Sequence, residues 1–169
     1  MDTPTASPPP AALWRRLAAT LYDVFPVVAI WFGIGFVVTG VRGFRAVPAY
    51  SVWFELLLLA GAFVYLGWSW RRGGQTLGMK AWRIAVVDAS GRSPGWARIA
   101  LRFVVMMAGI VSLPGAAWAL QAPLTPARAA VLAAAAVTVL GVLWVLVDRR
   151  GRMGHDLCAG TRVVRLPGR

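Results

Sequence analysis

The sequence predicts an all-α membrane protein. Four transmembrane helices are expected, with a small cytoplasmic β-ribbon built between helices 2 and 3 and the C-terminal tail. Three observations predict this. Hydrophobic residues make up 59% of the 169 residues and charged residues 14%, and mean hydropathy is +0.65. A soluble domain of this length needs more polar surface than that. The apolar residues also fall in continuous blocks and not at amphipathic spacing. Finally, the basic residues gather at alternate ends of those blocks, as the positive-inside rule requires.

Taken in order, Met1 to Ala12 contains Pro8-Pro9-Pro10 and reads as a disordered lead-in. Residues 13–169 form a single domain. The first span runs from about Leu17 to Thr39, an apolar stretch too long for the h-region of a cleaved signal peptide. Pro26 lies inside it and frees a carbonyl near Tyr22. The second span covers about Ser51 to Trp70, with Tyr50, Trp53 and Phe54 at one end and Trp68 and Trp70 at the other. In the loop that follows, Trp82 to Val87 alternates as a short strand. Asp88-Ala89-Ser90-Gly91 then reads as a turn, and Ser93-Pro94 as a helix N-cap followed by proline at the first helical position. The third span is about Ile99 to Leu120 and contains Pro114; the fourth is about Ala129 to Val147. Thr161 to Leu166 can supply a second strand to pair with the first.

Orientation follows from charge. Of the 18 lysines and arginines, only Arg42, Arg45 and Arg128 fall on the side opposite the termini. Both termini are therefore expected in the cytoplasm. The net charge of +12 is distributed around the spans. It points to anionic lipid headgroups as the partner surface and not to nucleic acid, for which no recognition motif is present.

The informative residues are charges inside or beside apolar runs. Asp23 and Arg16 are seven apart on one helix face, about 10 Å along the axis, too far for a direct pair. Arg102 enters from the same side to a similar depth, so Asp23 and Arg102 are expected to pair between spans one and three. Glu55, one turn into span two from the outer side, is a candidate outer relay; as an interfacial carboxylate it would simply reach water. Arg16, Asp148 and Asp156 are expected to form a structural charge network, with Asp156 accepting backbone or arginine hydrogen bonds before the last strand. The stripe of small residues in span four, including Thr138 and Gly141, reads as a helix-packing surface within the monomer or in a homodimer.

Other chemistry is not supported. His155, Asp156 and Cys158 are too bunched to wrap a zinc ion, so no metal is expected. Gly73 to Lys80 departs from a phosphate loop, because Met79 displaces the lysine and no Ser or Thr follows it. No nucleophile-and-base constellation suggests an enzyme, and no cofactor is implied.

Three stretches resemble the RDD family of bacterial membrane proteins. They are Arg16-Leu17-Ala18-Ala19-Thr20-Leu21-Tyr22-Asp23, then Gly74-Gln75-Thr76-Leu77-Gly78-Met79-Lys80 followed by Arg83 and Val86-Val87-Asp88, and finally His155-Asp156-Leu157-Cys158-Ala159-Gly160-Thr161-Arg162-Val163-Val164. The resemblance implies a multi-pass protein of the bacterial inner membrane. Some relatives are proposed to exchange cations for protons, and most have no assigned activity. Two readings follow. In one, Asp23, Arg102 and Glu55 mark an ion or proton pathway. In the other, the chain is a non-catalytic module whose cytoplasmic face docks a protein partner.

Overall fold

The computed structural model describes residues 8–45, 51–121, 123, 125–148 and 151–167. Met1 to Ser7, Tyr50, Arg149, Arg150 and Arg169, which entered the lead-in, aromatic and charge readings, lie outside the described residues. The chain forms α1 (Leu13–Val41), α2 (Val52–Gly73), α3 (Leu77–Ala81), β1 (Ile84–Asp88), α4 (Trp96–Ala119), α5 (Pro126–Leu143), a 3-10 turn (Trp144–Leu146), α6 (Gly154–Ala159) and β2 (Thr161–Arg165). Among the described residues, four helices are long and apolar enough to cross a membrane: α1, α2, α4 and Pro126–Leu146.

The helices pack as antiparallel neighbours. Trp31 Nε1 of α1 donates to the Leu58 carbonyl of α2 at 2.9 Å, and Gly61 of α2 faces Ile30 and Ile34 of α1. On the other side of α2, Phe63 meets Phe103 of α4 edge-on at 5.2 Å, and Gly67 lets Ile99 approach. Gly109 and Ser112 of α4 receive Thr138 of α5, with Ser112 Oγ and Thr138 Oγ1 3.1 Å apart. Small residues allow this closeness. The small-residue stripe of α5 is thus used within the monomer, and Gly141 continues it by meeting Gly154 of α6 backbone to backbone.

The best-buried residues are not midway along the helices. Trp70, Ile84, Val86, Ile99 and Val163 gather at the end of the bundle that carries the sheet. Further along, Leu21, Phe25, Phe32 and Phe36 of α1 stay exposed, as a lipid-facing surface requires. β1 and β2 are antiparallel, with Ile84 opposite Arg165 and Asp88 opposite Thr161. Both outer edges are covered. Val86 N donates to the Gly74 carbonyl at 2.7 Å, and Gln75 Nε2 to the Ile84 carbonyl at 2.8 Å. Along β2, Ala11 N donates to Val163 O at 3.0 Å and Arg165 N to Pro9 O at 2.8 Å. The last residues of the expected lead-in therefore lie as an edge segment on the sheet, and Ala11 is buried.

Three local features differ from the sequence expectation. β1 starts at Ile84 and not Trp82, because Trp82 caps α3 and Arg83 adopts a left-handed φ of 52°. α4 starts at Trp96 behind Gly95, which makes no side-chain cap, so Ser93-Pro94 precedes the helix and does not open it. α3 and α6 are short helices where only loop and turn were expected. The Asp88 turn forms as expected: Gly91 N donates to Asp88 O at 3.1 Å, and Asp88 Oδ1 accepts from Ser90 N and Arg92 N.

α3 packs directly on α1 through Gly78. A Cβ there would meet Ala19 O at 2.1 Å and Asp23 Cγ at 3.0 Å. The obstacle is mainly backbone and cannot rotate away. Gly78→Ala is expected to destabilise by about 1–3 kcal/mol or more. Gly95→Ala, where a Cβ meets nothing within 4 Å, should be near neutral by comparison; thermal unfolding of both variants in detergent checks this.

Candidate functional site

Two buried carboxylates sit in contrasting surroundings. Asp156 is the third residue of α6 and is 0% exposed. Its Oδ2 accepts from Arg16 Nη1 at 2.9 Å and from Met153 N at 3.0 Å. Its Oδ1 accepts from Arg102 Nη1 and, at 3.5 Å, from Thr161 Oγ1. Arg16 and Arg102 are 5% and 3% exposed. Arg16 spends its remaining donors on backbone carbonyls: Nε on Ala11 at 3.1 Å, and Nη2 on Val163 at 3.1 Å and on Gly151. Gly151 takes a φ of +60°, and a Cβ there would strike Pro10, so a glycine suits this approach. Arg102 also donates to Thr161 Oγ1 at 3.1 Å and lies over the Trp70 ring at 5.1 Å.

Burial alone would raise the Asp156 pKa. Arg102 foremost, then His155, Arg16 and the Met153 amide, outweigh it and hold the carboxyl at about 2. His155 lies beside the pair, with Nε2 3.8 Å from Asp156 Oδ1. Burial and then the Arg102 charge push its pKa down to about 4, against the opposing pull of Asp156.

Asp23 is 8% exposed, and its hydrogen-bond partners among the described residues are neutral. Tyr65 Oη of α2 donates to Oδ1 at 2.9 Å, Gly78 N of α3 donates to the same oxygen at 2.9 Å, and Thr76 Oγ1 donates to Oδ2. Thr76 also caps α3 by accepting from Met79 N at 3.2 Å. Tyr65 Oη in turn accepts from Leu77 N at 3.3 Å. Among the described residues, no lysine or arginine forms a salt bridge with Asp23.

The expected Asp23–Arg102 pair is therefore not formed. α1 and α4 pack against different sides of α2. Arg102 carries its guanidinium over Trp70 to Asp156, while the α3 turn supplies Asp23 from its own side. Asp156 meets Arg16 as expected of the charge network. Asp148 faces Arg152, whose Nε is 3.0 Å from Oδ2, and its charge also acts on Arg16. Glu55 is exposed in the first turn of α2, ten residues and about 15 Å along the axis from Tyr65. It belongs to neither cluster.

Tyr65, Thr76 and Gly78 were not identified as partners of Asp23. Tyr65 carried a faint signal, as a hydrogen-bonding group within an apolar run. The roles of Thr76 and Gly78 depend on a five-residue helix too short to show a period.

The sequence model of the RDD family matches residues 10–160. No curated protein and no solved structure gives a significant match.

Removing one member of a buried ion pair leaves the other uncompensated. Asp156→Asn is expected to cost about 3–5 kcal/mol. Breaking the only partly buried Asp148–Arg152 pair with Arg152→Ala should cost less, about 1 kcal/mol. Thermal unfolding in detergent at neutral pH compares them. Stability should also fall on acidification. The folded state holds His155 neutral down to about 4, against 6.5 for the free side chain. That contribution is complete above pH 6.5 and is lost as pH falls toward 4. The contribution of Asp156, whose pKa moves from 3.8 to about 2, persists to lower pH and is lost between those values. In a pH series of melting temperatures, His155→Asn should flatten the limb between 6.5 and 4 and, because His155 also helps hold the Asp156 pKa down, shrink the lower limb without abolishing it.

Proposed function

The chain belongs to the RDD family, and on that premise we propose that it is a cation/proton exchanger of the bacterial inner membrane, with both termini cytoplasmic and Asp23 as the exchanging carboxylate. The observation that carries this reading is the division of labour between the two buried acids. Asp156 accepts two arginines and is committed to its charge. Asp23, among the described residues, accepts only from Tyr65, Thr76 and the Gly78 amide.

A carboxylate with neutral partners can trade a proton for a cation without displacing a fixed counter-charge. Hydroxyl groups suit that exchange because each can donate or accept. With Asp23 charged and empty, Tyr65 and Thr76 donate to it. With a cation present, the same hydroxyls can turn their lone pairs toward the ion. Arg102 drops out of the mechanism as a tuning group, because its charge is engaged at Asp156. Glu55 is too distant to hand a proton to Asp23 directly and would act only as an exposed collecting group at the outer end. The distribution of arginines supports the cytoplasmic placement of the polar end.

One observation favours a second reading. The three donors on Asp23 come from α2 and the α3 turn, so the carboxylate also fastens α3 and its loop to α1. In that reading the protein is an assembly module, and Asp23 is a latch that shapes its cytoplasmic face for a protein partner.

Proteoliposome flux separates the readings. With wild type, added Na⁺, K⁺ or Li⁺ should dissipate an imposed pH gradient. Asp23→Asn, similar in shape but uncharged, should reduce the signal to the protein-free background while the melting temperature stays within a few degrees of wild type. Arg102→Lys, where it folds, should retain exchange. Wild type inactive with all three ions would remove the exchanger and leave the latch.

A further inference from the structure

Beside the Asp23 cluster, α2 and Ile30 of α1 line a shallow, open groove of about 670 Å³, with Gly61, Val64, Tyr65, Trp68 and Ser69 along the α2 side. From the geometry of this groove we infer a binding site for one anionic glycerophospholipid, its acyl chain along the groove and its phosphate at Arg72. The α2 residues that line the groove recur at helical spacing and share one face. Arg72 continues that face one turn beyond Trp68, and its guanidinium lies over the Trp68 ring at 4.9 Å. The groove is thus apolar along its length and cationic at one end.

Length fits as well. From Gly61 to Arg72 is about 17 Å at the helical rise, and half the hydrocarbon core is about 15 Å. A chain extending from a headgroup at Arg72 would reach Gly61 near the bilayer centre. Charge complementarity selects the headgroup. Arg72 has no salt bridge among the described residues, and the acid on α2, Glu55, stands at the far end of the helix. A neutral zwitterionic lipid would bring its own cation to Arg72; phosphatidylglycerol brings none. The site requires no ion exchange at Asp23 and is tested separately from it.

Native mass spectrometry of the detergent-solubilised full chain, given equal dioleoyl phosphatidylglycerol and dioleoyl phosphatidylcholine, tests the assignment. Wild type should retain one phosphatidylglycerol about fivefold in preference to phosphatidylcholine, the effect expected of one basic residue at headgroup level. Arg72→Gln should bring the ratio near one. Arg92→Gln, a basic residue in the exposed loop after β1, should leave it unchanged. Val64→Trp, which fills the groove from an exposed position, should reduce retention of both lipids. Equal retention of the two lipids by wild type would overturn the assignment. So would equal effects of Arg72→Gln and Arg92→Gln, which would indicate diffuse charge attraction. A wild-type dimer dissociated by Val64→Trp, with lipid retention unaltered, would assign the groove to a second copy of the chain instead.

Discussion

Two arginines from different helices close on one fully buried carboxylate, and the polar end of the molecule is arranged around that contact. Arg16 brings α1, Arg102 brings α4, and Asp156 brings the short helix that leads into β2. The remaining donors of Arg16 hold carbonyls of the N-terminal segment, the turn at Gly151 and β2. Ion pairs at this depth are not a cheap source of stability, because desolvation consumes much of their attraction. Their value here is geometric: a planar guanidinium with donors in fixed directions sets where four segments of chain can lie.

The sheet depends on that arrangement. A two-stranded ribbon is marginal by itself. This one rests on Trp70 and Ile99, and its edges are taken up by Pro9–Ala11 on one side and by Gly74 and Gln75 on the other. The same loop that covers the β1 edge continues into Thr76 and Gly78, which hold Asp23. The two acid sites are therefore linked through a short stretch of chain. One is fully matched by positive charge. The other is matched only by dipoles.

Much of this was legible in the sequence. The four spans follow from block length alone, and their ends fall within a few residues of the helices observed. Alternation revealed the first strand, Thr161 to Leu166 was read as its possible partner, and Asp88 to Gly91 announced its turn. The importance of Asp23, Arg16, Arg102 and Asp156 was also readable, because charge beside apolar runs is costly. Their pairing was not. Depth in the membrane is a one-dimensional coordinate, and it places Asp23 and Arg102 at similar levels. Which helix stands beside which is a second coordinate that hydropathy does not carry. With α2 packed against both α1 and α4, the expected pair gives way to two separate clusters. Short elements were hidden for a different reason. Five or six residues of α3 and α6 make little more than one turn, and their stability comes from caps and from contacts with distant residues.

The sequence separation of the Arg16 contacts bears on how the protein is made. Its partners Gly151, Asp156 and Val163 lie 135, 140 and 147 residues downstream. At translation rates of roughly 5–20 residues per second, they emerge about 7–30 s after Arg16 itself. During that interval the guanidinium has no native carboxylate to meet. Its place in the first turn of α1 lets it wait in the hydrated margin of the bilayer, where a mid-helix arginine would have resisted insertion. The clasp on Arg16 closes only after β2 has been synthesised, so the first span stays unfastened until then. A chain truncated before Gly151 lacks all three of these partners and leaves Arg16 an unmatched cation at the start of the first span.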